Sequence, residues 1–352
     1  FPISKIACGV ILSVLCGAVI IGGIKRIGSV AGTLVPLMCG IYLIAGLYVL
    51  FVNLDKIPDM FALIWNSAFG KAEGANAFLG GSFGYAFLWG MKRSLFSNEA
   101  GQGSAPIAHS AAKTDEPIRE GIVAGLEPFI DTIIVCTLTA LIILSTGAWN
   151  RGAEGHFADG QLPKVQVLKT EKNEDGTTKV SATLGDKKVI PAGSADEKEK
   201  IVYRSPLPTR QKHAWNDSDW DNQGSKWTDV KRVFVIVLAQ NSTDTGNNRH
   251  RLFGTIKEVD GRRVIEWDSQ DFTFAEGESV RDPKIEPTDD GRAAVYQDFK
   301  GAALTSHAFD RVQPGLGKWL VTLAAWLFAL STVISWSYYG EQGIIYLFGG
   351  RG

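Results

Sequence analysis

Charge is scarce over most of this 352-residue chain. Of its 36 Lys+Arg, 26 fall between Arg151 and Lys318, and of its 37 Asp+Glu, 27 fall in the same stretch. The formal net charge is −1, so there is no broad basic field to hold a phosphate backbone. No Gly-x-x-x-x-Gly-Lys loop and no CxxC pair occur, which argues against nucleotide binding, nucleic-acid binding and structural zinc. The four cysteines, Cys8, Cys16, Cys39 and Cys136, all lie in apolar stretches, and the charged middle has none. A disulfide framework is therefore not expected, even in an oxidising compartment.

What remains outside the charged middle is long and apolar. Ile6 to Ile24 is a run of 19 residues without a charge, and Ile27 to Leu54 is a run of 28 after Lys25 and Arg26. Ala75 to Met91, Thr132 to Asn150 and Trp319 to Gly340 are further candidates, the last with 22 uncharged residues and an aromatic cluster at one end. A spanning helix needs about 20 apolar residues, whereas a buried helix of a soluble protein carries a polar stripe at helical spacing. Neither of the first two runs carries that stripe. The pattern predicts an α-helical integral membrane protein of about five spans. Phe1 stands where a start would have Met, without the basic region and cleavage site of a signal peptide, so the chain reads as a fragment.

One stretch is unlike a lipid-facing helix. Phe83 to Ala112 reads FGYAFLWGMKRSLFSNEAGQGSAPIAHSAA. Gly101, Gly103 and Pro106 weaken helical hydrogen bonding, and Ser97, Asn98, Glu99, Gln102 and Ser104 place polar groups at membrane depth. Unwound backbone is tolerated in a membrane where it is buried in protein or lines a wet cavity, and there its free N–H and C=O groups can bind a solute. A broken helix of this kind points to a substrate site of a secondary transporter. The same composition also fits a glycine-rich packing face.

The run from Lys92 to His109, KRSLFSNEAGQGSAPIAH, resembles the hallmark of the alanine/glycine:cation symporter family, the sodium:alanine symporters. GGIKRIGSVAGTLVP (Gly22 to Pro36), the stretch Glu116 to Leu144, and GAALTSHAF with LFALSTVISWSYYGEQ (Gly301 to Gln342) resemble the same family in the same order. The resemblance covers about residues 1–150 and 301–352. It implies part of a leucine-transporter-type inverted-repeat fold around a mid-membrane site. It also implies Na⁺-driven uptake of small neutral amino acids, chiefly alanine and glycine, by alternating access. Na⁺ would be the coupling ion, with no organic cofactor, no enzymatic reaction and no nucleic-acid partner. In that scheme Asn98, Gly101, Gln102, Gly103 and Ser104 help hold the amino acid, and the first core helix of the fold is missing from this chain.

Ser331 and Thr332 are adjacent hydroxyls one turn after the Phe328 carbonyl, an oxygen set that suits a hard cation. The resemblance makes them a sodium site; ordinary hydroxyl back-bonding fits the same spacing. Glu127 and Asp131, spaced i, i+4, share a helix face beside Thr132, and Asp131 is a candidate coupling or structural carboxylate. Lys92 and Arg93 read as an external gate, as partners of local carboxylates such as Glu99, or as snorkelling side chains. His109 has no metal-ligand partner at i+3 or i+4 and reads as a satisfied interhelical histidine.

Residues 151–300 depart from the compact connection the resemblance implies and read as an inserted β-rich domain. Lys164 to Leu184 around Glu174-Asp175-Gly176 and Leu252 to Trp267 around Asp260-Gly261 predict hairpins, and Val233 to Leu238 a central strand. The dense group His213, Trp215, Asp217, Asp219, Trp220 and Asp221 predicts a polar loop, and its spacing lacks the terminal Glu of an EF-hand. Lys25, Arg26, Lys113, Arg119 and Arg351 fall on one side of five alternating spans, against Lys5, Lys56 and Lys71. The bias predicts a multi-pass protein of the cell (inner) membrane with 151–300 extracytoplasmic. Two other functions compete: a transporter-like sensor whose outer domain binds a ligand or partner, and a hydrolase using the insert. The middle has neither a Gly-x-Ser-x-Gly elbow nor an HExxH pair, which weighs against the hydrolase.

Overall fold

A computed structural model of the chain describes residues 5–68, 88, 90–93, 95, 103–158, 162–190, 200–210, 227, 230–239, 248–274, 276, 282–288 and 291–349. Two compact units emerge, one including 1–69, 88–149 and 300–352, the other including 150–299.

The first unit is helical: α1 (Lys5–Ile20), α2 (Gly23–Val52), α3 (Ile57–Ala68), α4 (Ala105–His109), α5 (Pro117–Ser145), α6 (Ala302–Val312) and α7 (Leu316–Phe348). Among the described residues three of these, α2, α5 and α7, are long and apolar enough to cross a membrane, with mean hydropathies of 2.3, 2.1 and 1.7. The expected span from Ile6 to Ile24 stops at Ile20, because Gly23 sits at φ +67°, in the left-handed region that interrupts a helix, and α2 begins there. Ala75 to Met91 lies almost wholly outside the described residues.

The span expected over Thr132 to Asn150 is corrected by the structure. Its helix starts at Pro117 and takes in Glu120, Glu127 and Asp131, so the charge-free window is only its second half. Pro opens α5 at a position where its missing N–H is not needed. A second proline, Pro128, removes an i→i−4 donor inside the helix, and the ladder continues as a π-helix over Phe129–Cys136 before reverting to α at Thr137.

Two apolar clusters hold the helices together. Val49 of α2, Leu138 and Ile142 of α5, Ala308 and Phe309 of α6 and Val321 of α7 form one; Cys16, Ile27, Leu330 and Ile334 form the other, from α1, α2 and α7. Gly46 lets α2 approach α5 closely, since a Cβ there would sit 2.9 Å from Leu138. Tyr42 Oη and Thr139 Oγ1, 2.6 Å apart, add a polar tie between the same helices. α6 and α7 meet at a tight corner in which the Asp310 carboxylate accepts the N–H groups of Gly317 and Lys318, capping the start of α7. Outside these clusters the helices present Val14, Ile44, Phe51, Ile122, Ile133 and Leu323 outward, an apolar exterior fit for hydrocarbon rather than water.

The second unit is two sheets over one core. Among the described residues nine strands form the larger sheet in the order β4 (Asp186–Ile190), β5 (Lys200–Pro206), β9 (Arg262–Trp267), β8 (Arg249–Val259), β7 (Arg232–Leu238), β12 (Ala294–Gln297), β1 (Gly155–His156), β6 (Thr209–Arg210), with β11 (Lys284–Ile285) also on β7; β10 (Gln270–Phe274), β3 (Thr178–Leu184) and β2 (Val165–Lys172) form the smaller. β2 (Val165–Lys172) and β3 (Thr178–Leu184) make the hairpin expected around Gly176, which takes φ +84°. β8 (Arg249–Val259) and β9 (Arg262–Trp267) make the other, with Asp260 and Gly261 both at positive φ as a two-residue primed turn requires. β7 (Arg232–Leu238) is internal, paired to β8 on one side and to β12 (Ala294–Gln297) and β11 (Lys284–Ile285) on the other. Its Val233, Val235 and Val237 face a core completed by Leu252, Ile265, Trp267 and Val295, and by Val180, Leu184, Phe272 and Phe274 from the smaller sheet. Both buried indole N–H groups find acceptors, Trp267 on Ser205 Oγ and Trp227 on the Pro208 carbonyl.

Ion pairs line this unit and set its acid limit. The Lys179 ammonium and the Ser181 hydroxyl hold the Asp271 carboxyl below the usual carboxylate range. Burial alone would raise Glu266, but Lys257 and Arg204 bring it down. A carboxyl depressed by folding stabilises the native state above its unfolded value and stops doing so as the pH falls through its folded value. The β unit is therefore expected to hold a constant denaturation midpoint from neutrality to about pH 5 and to lose stability below about pH 4. Urea unfolding against pH checks this, and Asp271→Asn combined with Glu266→Gln should flatten the acid limb.

Candidate functional site

Of the residues expected to hold an amino acid, Asn98, Gly101 and Gln102 lie outside the described residues. Gly103 and Ser104 are described, and they lead into α4. Gly103 takes φ +72°, a left-handed conformation that turns the chain into the helix. Ser104 comes next at the N-cap, buried, its carbonyl accepting from the N–H groups of Ile107 (3.0 Å) and Ala108 (3.3 Å). Pro106 falls in the first turn of α4, where it costs no intrahelical bond.

On α7 the hydroxyl of Ser331 is buried and donates to the Phe328 carbonyl at 3.0 Å, which brings together two of the three oxygens expected to serve a cation. The third residue, Thr332, is exposed. Ser331 lies between Leu330 and Ile334, which pack against Cys16 and Ile27, so its depth is fixed by the apolar cluster that joins α7 to α1 and α2.

Asp131 is half-buried within the π-helical stretch of α5. Beside it the Thr132 hydroxyl is buried and makes no hydrogen bond among the described residues. Glu127 is directed elsewhere, its Oε2 lying 3.6 Å from Nε2 of His109, while the other ring nitrogen of His109 lies 2.6 Å from Oε1 of Glu120. Sequence reasoning misses that three-residue cluster. Its signal is the spacing of Glu120 and Glu127, seven residues or two helical turns apart and thus on one face. Among the described residues no group of three His, Cys, Asp or Glu side chains is arranged to hold a metal ion. The oxygens gathered on α7 are a hydroxyl and a carbonyl, donors of the kind that suit a hard, hydrated cation.

Three helices long and apolar enough to cross a membrane, with a left-handed glycine opening a short helix and buried hydroxyls on α5 and α7, are the features of a membrane protein. The sequence model of the sodium:alanine symporter family matches residues 1–166 and 289–352, and the chain belongs to that family. Residues 167–288, most of the β unit, lie outside the matched segments. The sodium/alanine symporter AgcS of Methanococcus maripaludis is 45% identical over 147 residues, 42% of this chain and 32% of that protein. The sodium/proton-dependent alanine carrier protein of Bacillus sp. (strain PS3) is 40% identical over 150 residues, 43% of this chain and 33% of its own length. The probable sodium/glutamine symporter GlnT of Bacillus subtilis is 37% identical over 150 residues, 43% of this chain and 30% of that protein. The chain thus matches about a third of the length of these curated relatives.

Proposed function

We propose that the protein carries small neutral amino acids, chiefly alanine and glycine, across the cell membrane together with Na⁺, by alternating access on a leucine-transporter-type scaffold. The observation that carries the reading is the family match over both helical segments, with the glycine-rich 98–104 stretch inside the matched range. In this reading residues 1–150 and 301–352 form the transport core and 151–300 an extracytoplasmic insert. Asn98, Gly101, Gln102, Gly103 and Ser104 offer backbone and side-chain groups to the amino acid, as an unwound segment does wherever it is shielded from lipid.

Na⁺ is cargo as well as driving force. Ser331, Thr332 and the Phe328 carbonyl form its site, and the Ser331 hydroxyl gives up its bond to that carbonyl so that both oxygens turn to the ion. Asp131 with the adjacent Thr132 hydroxyl supplies the charge that couples ion to substrate, since an ionisable side chain within a span is costly unless it is used. Alanine and glycine are favoured over glutamine because two of the relatives are named for alanine and the motif resembles the alanine/glycine branch; GlnT keeps glutamine in the comparison.

Proteoliposomes with an inward Na⁺ gradient test the substrate. Uptake of labelled alanine should be displaced by excess glycine and much less by glutamine. Displacement by glutamine at least as strong as by glycine would reassign the substrate class. The sensor alternative predicts no Na⁺-driven uptake of any of the three.

A further inference from the structure

His109 is left unused by this transport reading, yet its surroundings are specific. It ends α4, five residues after Ser104, and its ring faces two carboxylates of α5 at once: Nδ1 at 2.6 Å from Glu120 and Nε2 at 3.6 Å from Glu127. A neutral imidazole has one N–H and one lone pair, so it can serve one of these carboxylates while presenting a lone pair to the other. The imidazolium donates from both nitrogens. Two like charges converging on one ring are stable only with the proton in place.

The other charged groups on the adjoining elements are Lys113, Asp115 and Glu116 of the following loop, Arg119 and Asp131 of α5, and those of α7. Arg119 of α5 pairs with Glu116, and Asp131 lies further along α5 in the π-helical stretch. On α7, the other long helix packed against α4, the charged residues are Lys318 and Glu341. Among the described residues the ionic partners of His109 are Glu120 and Glu127.

α4 has only five residues, too few to persist on its own hydrogen bonds. Residues 110–116, between α4 and α5, form a loop held by local bonds such as Ser110 Oγ to the Ile107 carbonyl and the Thr114–Glu116 turn. The ring is therefore a side-chain tie between the end of the substrate segment and a membrane-length helix. The geometry points to His109 as a positioning residue: when protonated it clamps α4 onto both the Glu120 and Glu127 carboxylates of α5, and when it loses the proton it can hold only one of them and α4 is loosened.

The partners determine the sign. Two carboxylates facing one ring stabilise its protonated form. The clamp is complete while the ring holds its proton and weakens as the pH rises and the proton leaves.

Hydrogen exchange on the reconstituted protein, read by mass spectrometry over residues 103–112 between pH 6 and pH 9, tests the clamp without requiring transport. After correction for intrinsic exchange, protection of the Ile107, Ala108 and Ser110 amides should fall with rising pH, by up to about tenfold per pH unit across the window. His109→Gln should make protection independent of pH, and Glu127→Gln should move the fall to lower pH. A His109→Gln protein that keeps the wild-type pH dependence would overturn the proposal, as would wild-type protection that is flat. The transport consequence rests on the symporter reading: Na⁺-driven alanine uptake should decline over the same window in wild type and not in His109→Gln. The two ideas fail separately. A pH-dependent loss of protection with no uptake at any pH supports the clamp and removes the symporter, and flat protection with normal uptake does the reverse.

Discussion

Gly103→Val is expected to lower amino-acid uptake at least about tenfold while leaving the helical unit folded. The position is at φ +72°, and among the described residues no atom outside its immediate neighbours lies within 4 Å of where a Cβ would be, so the effect is argued from backbone conformation. A side chain in the left-handed region costs about 1–2 kcal/mol, more when it is β-branched, and about 1.4 kcal/mol already corresponds to a factor of ten in population. The cost is felt where the chain turns from the substrate segment into α4, because Gly103 and the buried Ser104 set the direction in which that helix begins. Gly103→Asn is the control, since asparagine tolerates this conformation better than other residues, and it should recover most of the rate. Initial uptake rates normalised to reconstituted protein, with circular dichroism to verify helix content, decide the matter. Wild-type rates in the valine variant would mean that the left-handed turn has no part in transport.

Phe272→Ala is expected to remove about 3–5 kcal/mol from the stability of the β unit, the range for deleting a fully buried ring. Phe272 is completely buried, sits edge-on to His250 with ring centroids 4.9 Å apart, and projects from β10 of the smaller sheet into the core that Val233, Val235 and Leu252 of the larger sheet share. A domain of this size has about 5–15 kcal/mol in total, so the variant should stand near the edge of folding. Urea unfolding of a soluble 150–299 segment measures the loss directly. A loss below about 1 kcal/mol would show that the two sheets do not depend on a common core. Uptake by the complete chain carrying the same substitution should persist if the helical unit alone moves the substrate, and its disappearance would give the insert a share in function.

The partition of the chain is readable in the sequence because charge and hydropathy act locally: a membrane helix cannot tolerate a charged stripe, and the β unit cannot do without charged edges. The two hairpins are readable for the same reason, since Asp260-Gly261 and Asp175-Gly176 are turn chemistry that neighbouring residues alone decide. The start of α5 is not. Glu120, Glu127 and Asp131 interrupt its apolar run, and a window that excludes charge begins too late; only the fold shows that Glu120 and Glu127 meet a histidine rather than lipid. The π-helical stretch is equally hidden, because Pro128 announces a lost hydrogen bond but not whether the helix kinks, stops or widens. On α7 the Ser331-Thr332 pair is visible as a pattern, but that one hydroxyl is buried and the other exposed results from packing against Cys16 and Ile27, which lie more than 300 residues away along the chain. The strand order β4-β5-β9-β8-β7 likewise depends on pairings between distant segments that no local signal specifies.

Sodium coupling is tested most directly by following labelled alanine into proteoliposomes with an inward Na⁺ gradient, and again with K⁺ in its place. Accumulation above equilibrium with Na⁺, its absence with K⁺, and a higher Na⁺ requirement after Ser331→Ala are the expected results. Equal accumulation with either cation, or none with either from correctly folded and oriented protein, would contradict Na⁺-driven symport.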